Sequence, residues 1–291
     1  MTKDTQLIAI FCTVCEEYYS TLAASAQRLS NNFCPKFTDE ECIAIYLFGI
    51  AQQKFTVKAI YEYIKDEYSD WFPHLPNYQN FNRRICNLSE TFMLLAERLH
   101  KKDCYVDMKG ILCLLDSLPI IVAGESRSGF AKAASEICDK GYCASKKMYY
   151  YGIKLHYMGI AAHRSIPRDM VMSWITPASV NDITTAKDKL QNVRNIDVFA
   201  DKMYRDAGWF EEMLLYNNVR ISTPVKHKKG QRDLDPYDKL YNRAVSSVRQ
   251  PLESFFNWII EKTRIQFASK VRSAAGLLAF VFARIAVLAL L

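Results

Sequence analysis

Residues 110–122 read GILCLLDSLPIIV, a continuous apolar run that carries a single acid, Asp116. A short run rich in Leu, Ile and Val is the pattern of a buried strand. A carboxylate inside it is expensive to desolvate, so Asp116 needs a compensating partner. Downstream, Tyr149 to Ile160 (YYYGIKLHYMGI) and Asp169 to Ile175 (DMVMSWI) repeat the strand pattern. Ser179 to Leu190 has helical composition and begins at a capping residue, either Ser179 or Asn181-Asp182. Ile196 to Ala200 (IDVFA) reads as a short strand that stops at Asp201. Arg205 to Tyr216 then reads as helix, Val219 to Pro224 as strand, and Tyr237 onward as helix.

Strand, strand, strand, helix, strand, helix, strand, helix predicts an α/β domain of ribonuclease-H-like type, a mixed sheet flanked by helices. Upstream the pattern is helical. Leu7 to Leu29 has mixed apolar spacing, Thr38-Asp39-Glu40-Glu41 caps a second helix, Thr56 opens a third, and Tyr78 to His100 reads as one longer fourth helix. Arg83 and Arg84 fall near the start of that fourth helix, an arrangement like a helix-turn-helix whose later helix enters a DNA groove. The polar break at Lys101-Lys102-Asp103 divides the chain into a helical, DNA-binding domain over 1–100 and a catalytic domain over 101–291.

Composition is that of a globular protein: of 291 residues, 50% are hydrophobic and only 10 are Gly and 9 Pro. Nine cysteines lie scattered without a secreted framework, and the opening MTKDTQLIAI lacks a signal-peptide layout, so a reducing cytosol is the expected location. The closing GLLAFVFARIAVLALL is short for a membrane span and interrupted by Arg284, which predicts a buried terminal helix and no membrane segment. The net charge of +7 is concentrated: Arg220 to Arg272 holds twelve Lys and Arg against five Asp and Glu. Such a field suits a polyanion, although a solvated basic face has the same composition.

Asp201 stands at a strand end, where open α/β sheets bind ligands, so Asp116 and Asp201 can meet at one sheet edge. In VRQPLESFFNWIIEK, Leu252, Phe255, Phe256, Ile259 and Ile260 form a core stripe, and Arg249, Glu253 and Asn257 line the adjacent face. Pro251 fits either a first turn or a kink. Three carboxylates are hard oxygen donors suited to Mg²⁺ or Mn²⁺, and a pair of such ions supports in-line displacement at phosphorus. From spacing alone the same acids also fit a strand cap, a turn former and a surface residue. Lys146-Lys147 before Tyr149-Tyr150-Tyr151, and Lys226-His227-Lys228-Lys229, mix charge with aromatics as nucleic-acid surfaces do. Cys12 and Cys15 have zinc-like spacing without a second pair, Cys138, Cys143 and His156 fit structural roles, and Gly124 to Gly129 lacks the Lys-Ser/Thr of a phosphate loop.

The blocks LLDSLPI, DKGYCASKKMYYYGIKLH, FADKMY, VRQPLESFFNWI and KVRSAAGLLAFVFARIAVLALL resemble the DDE transposases of bacterial insertion sequences, most closely the insertion-sequence family numbered 982, over about Lys101 to Leu291. The resemblance implies Asp116, Asp201 and Glu253 as a catalytic triad that binds two divalent ions, with Arg249 four residues before the Glu. It also implies cleavage and strand transfer on double-stranded DNA at terminal inverted repeats and target sites, carried out by a homodimer on DNA. The motif's Tyr is Ser246 here, its Lys is Ile260 with Lys262 close by, and ADKMY stands where similar proteins often have Gly-Asp-Lys-Gly-Tyr. A related nuclease that cuts without joining, and a decayed transposase or DNA-binding protein, remain the alternatives.

Overall fold

A computed structural model describes residues 2–26, 35–100, 110–144, 146–161, 166–227 and 230–291. The chain forms two compact units, one of residues 1–100, 132–136 and 259–291, the other of 101–131 and 137–258.

The first unit is helical: α1 (Lys3–Ser20), α2 (Asp39–Ala51), α3 (Val57–Glu67), α4 (Tyr78–Asn87), α5 (Ser89–His100) and, from the far end of the chain, α9 (Ala274–Leu288). Its starts are written in local chemistry. Thr38 and Glu41 form a capping box on α2, with the Glu41 amide 3.2 Å from Thr38 Oγ1 and the Thr38 amide 2.7 Å from Glu41 Oε2. Thr56, Asn77 and Ser273 cap α3, α4 and α9 respectively, each by a single side-chain oxygen that accepts from an amide of the first turn. α2 is buried on all sides from Cys42 to Ile50, which marks it as the centre of the bundle. The expected single helix over 78–100 is two helices, divided at Leu88.

The C-terminal helix also departs from expectation. α9 packs on α5, α2 and α4, so residues 259–291 belong with the N-terminal helices and not with the sheet. Its apolar surface explains why: nearly every residue from Leu277 to Leu288 is buried, as a helix hydrophobic all round requires. Among the described residues no helix is long and apolar enough to cross a membrane.

The second unit contains the sheet: β1 (Ile111–Ala123), β2 (Asp139–Cys143), β3 (Met148–Ile160), β4 (Met170–Pro177), α6 (Asp182–Leu190), β5 (Ile196–Ala200), α7 (Ala207–Asn217), β6 (Arg220–Ser222) and residues up to Trp258 of α8 (Pro236–Thr263). β3 pairs antiparallel with β1 on one edge and with β2 and β4 on the other, while β1, β5 and β6 run parallel. This mixed sheet flanked by helices agrees with a ribonuclease-H-like domain. Its centre tolerates no side chain at Gly152, where a Cβ would lie 2.1 Å from the Ile120 carbonyl oxygen.

Strand parity decides which face each acid occupies. Cys113, Leu115, Ile196, Val198 and Ala200 join one core with Ala186, Leu190, Trp209 and Met213 of α6 and α7. Alternation then sends Asp116 to the opposite face, and Asp201, whose backbone is still extended, goes to the same face. There Tyr157, the register partner of Asp116, meets Phe255 of α8 at a ring distance of 4.7 Å.

Candidate active site

Leu115 and Ala200 form the last rung between β1 and β5, so Asp116 and Asp201 occupy the rung that follows. α8 supplies the third member. Arg249 Nη2 donates to Asp116 Oδ2 at 2.9 Å, and its Nη1 lies 3.7 Å from Asp201 Oδ1. The Arg249 side chain is only 9% exposed, so this charge is held within the fold. Its Nε is buried without a hydrogen-bond partner among the described residues. Pro251 sits inside α8, where it lacks the amide that would bond the Ser247 carbonyl, which settles the choice between first turn and interior.

Glu253 is one turn along α8 from Arg249 and exposed. Among the described residues no three His, Cys, Asp or Glu side chains are gathered closely enough to hold a metal ion. The structure thus brings Asp116, Asp201 and Arg249 together and leaves Glu253 on the neighbouring surface.

Desolvation raises the Asp116 pKa to about 6 despite the opposing Arg249 charge and the Ser117 amide, which donates to Oδ1 at 2.8 Å. The nearby Asp201 and Asp182 push in the same direction as burial. A raised carboxylate pKa means that the proton stays on until the pH passes about 6, and a cation must displace it below that. If Asp116 is a metal ligand, Mn²⁺ affinity measured by titration calorimetry should fall about tenfold from pH 7 to pH 5. Equal affinities at the two pH values would show that Asp116 is not a ligand.

A second polar cluster backs β1 from the other face. Ser117 Oγ donates to Asp182 Oδ2 at 2.8 Å, and Lys154 Nζ donates to Asp182 Oδ1 and to the Val180 carbonyl, both at 2.7 Å. His156 stacks on Trp174 at 4.9 Å and bonds Thr176 Oγ1 at 2.9 Å. Burial pushes its pKa down to about 4, which keeps the ring neutral and agrees with a structural role. The sequence held a signal for this cluster: Lys154 stands inside an apolar strand and needs a carboxylate as much as Asp116 needs a cation.

A cavity of about 560 Å³ opens beside Asp201 and Arg249, lined also by Lys202, Lys226, His227 and Ser246. Lys226, a residue singled out from the sequence, lines this cavity, and Lys202, which the sequence did not single out, lines it too. Ser246, in place of the motif's Tyr, lines the same space. Lys228 and Lys229 lie outside the described residues. Lys146 and Lys147 are exposed at the tip of the β2–β3 hairpin. Lys262, beyond the sheet unit, lies 3.7 Å from Glu261. Arg83 is exposed and bonds Asn80 Oδ1 at 3.1 Å.

Arg84 is held differently. Its guanidinium forms a two-pronged pair with Asp39 and also donates to the Ala26 carbonyl at 2.6 Å, with the side chain 12% exposed. Its Nε and Nη2 donors are thus engaged within the helical unit. Cys12, Cys15, Cys138 and Cys143 form no disulfide among the described residues, and Cys138 and Cys143 are buried.

With two acids from separate strands held at one sheet edge, comparison with known families becomes informative. Residues 109–290 match the family model for a transposase DDE domain. The chain belongs to the DDE transposases. The matched segment is well over half of the protein and contains both aspartates, Arg249 and Glu253. No curated protein and no solved structure matches the chain.

Proposed function

We propose that this transposase cuts and joins double-stranded DNA at the terminal inverted repeats of an insertion sequence of the family numbered 982, in the bacterial cytoplasm at the nucleoid. The observation that carries this reading is the shared ion pairing of Asp116 and Asp201, from two different strands, with Arg249 of α8. Both aspartates offer hard carboxylate oxygens on one face of the sheet, a donor set that fits Mg²⁺ or Mn²⁺. Bound there, one or two such ions would supply Lewis acidity and an activated water or 3′-hydroxyl. Asp116 and Asp201 would hold the cation, and Glu253 would complete the set as the third acid of the family pattern. Arg249 would hold the two carboxylates in place as the arginine of the catalytic set, while Lys202 and Lys226 place positive charge around the cavity and would bind DNA phosphates. The helical unit, through Arg83 in α4, would read the terminal repeats, and synapsis of two ends would bring together a homodimer on DNA.

The deciding experiment incubates the full chain with linear DNA carrying the element's own ends and Mg²⁺ or Mn²⁺, then resolves the products. Nicked or cut ends together with strands joined to target DNA are expected. Cut ends without joined strands would reduce the reading to a nuclease. Binding without any cleavage would move it to a DNA-binding protein.

A further inference from the structure

The β2–β3 hairpin presents two faces of opposite character. On the inner face, Cys143 and Tyr150 pack with Ile121 and Ala178, and Gly141 sits so close that a Cβ would lie 2.5 Å from the Ala178 carbonyl oxygen. This contact fixes the hairpin against the sheet. On the outer face, Tyr142 and Tyr149 are direct register partners with ring centroids 5.1 Å apart, 52% and 50% exposed. Half-exposed tyrosines with this rigid backing offer ring surface to a ligand at little entropic cost. Lys140 Nζ stands 4.9 Å from the Tyr149 ring centroid, and Lys146 and Lys147 lie exposed at the tip. The single carboxylate of the hairpin, Asp139, already accepts from the Lys140 amide at 2.7 Å and from Ser179.

Charge decides the occupant. Three lysines against one engaged carboxylate repel a basic partner, and lysines beside open aromatic faces fit a nucleic-acid strand, whose phosphates pair with ammonium groups while bases stack on rings. We propose that this outer face is a DNA-docking surface on which Tyr142 and Tyr149 stack an unpaired base and Lys140 and Lys147 contact the adjoining phosphates. The inference rests on the transposase reading for its choice of DNA, and adds to it a second contact away from the acids. Tyr149 lies eight residues along β3 from Tyr157, the partner of Asp116. At about 3.3 Å per residue the docking surface is roughly 26 Å from the acids, on the order of eight base pairs of duplex.

Lys147 has φ +51°, so Lys147→Gly removes the charge while placing a residue that adopts this backbone freely. Tyr142→Thr/Tyr149→Thr keeps β-forming residues and removes the rings, and Tyr142→Phe/Tyr149→Phe keeps the rings. Each full-length variant is titrated in Ca²⁺ or EDTA, where cleavage is absent, against a fully paired end duplex and the same duplex with mismatches about eight base pairs from the cleavage position. Wild type and the Phe pair should prefer the mismatched duplex, and the Thr pair should lose about tenfold or more of affinity for it. Lys147→Gly should reduce the slope of log affinity against log salt by about one. Thermal unfolding should be unchanged in all three. The proposal is overturned if the Thr pair binds both duplexes as wild type does, or if the Phe pair loses as much as the Thr pair. Because cleavage plays no part in this readout, a wild type that binds with the expected preference yet never cuts would defeat the transposase reading alone. Normal cleavage with indifferent hairpin variants would defeat this inference alone.

Discussion

Asp116→Asn is expected to lower strand cleavage by at least about 10³-fold, a loss of roughly 4 kcal/mol of transition-state stabilisation, while DNA binding persists. The substitution keeps the shape of the side chain and its acceptor for the Ser117 amide at 2.8 Å. What it removes is the negative charge. An amide is a far poorer ligand for a hard divalent ion than a carboxylate, so the loss falls on the chemistry and not on the strand. Asp201→Asn should behave alike, because its Oδ1 faces the same guanidinium at 3.7 Å. Glu253→Gln separates a triad from a pair. As Glu253 is exposed, its loss cannot act through the core, and a comparable fall in cleavage would mean that the helix face beside Arg249 reaches the reacting phosphate. Full-rate cleavage by Glu253→Gln in a gel assay would strip this residue of its role, and full-rate cleavage by Asp116→Asn would sink the site.

The legible part of the fold is the part governed by period and caps. β1, β3, β4, β5 and α6 follow from apolar runs and a capping Asn, and the strand-end position of Asp201 points to one sheet edge for both aspartates, whereas the face they share follows only from the pairing of β1 with β5. β2 was not readable because DKGYC looks like a turn: its Gly is there for close packing on Ala178, a contact made only in the folded chain. Arg84 looked like a DNA residue because its partner, Asp39, lies 45 positions away. Spacing alone placed Arg249 and Glu253 on one face of α8, but it carried no information about depth, and depth is what separates the buried arginine from the exposed glutamate. The C-terminal helix was legible as buried. Which unit buries it was not, since an all-round apolar helix has no preferred face to reveal its neighbour.

Arg284 is expected to be the most sensitive single position of the helical unit. The charge that argued against a membrane span turns out to be fully buried, and three of its four bonds reach outside α9. Its Nε donates to the Thr263 carbonyl at 2.9 Å, Nη2 to the Phe55 carbonyl at 2.8 Å, and Nη1 to the Phe280 carbonyl at 3.0 Å and the Tyr46 hydroxyl at 3.3 Å. The guanidinium also lies over the Phe280 ring at 3.5 Å. The Thr263 bond closes off the end of α8, whose last carbonyl would otherwise lack a donor, and the Phe55 bond ties down the segment between α2 and α3. No carboxylate is among them, so burial lowers the Arg284 pKa and the neutral acceptors offset that cost through hydrogen bonds and ring contact. Arg284→Lys presents one ammonium where a planar fork spans three carbonyls, and it should destabilise the chain by about 3 kcal/mol or more. Arg284→Met removes the buried charge along with the donors, which leaves the Thr263 and Phe55 carbonyls unpaired and should cost roughly 2–4 kcal/mol. For a unit of this size either change corresponds to a drop in Tm of about 5–15 °C, measurable by circular dichroism on the full chain. Methionine melting at the wild-type temperature would mean that the desolvation of the charge cancels its bonds, and that apolar packing alone holds α9 against α2 and α5.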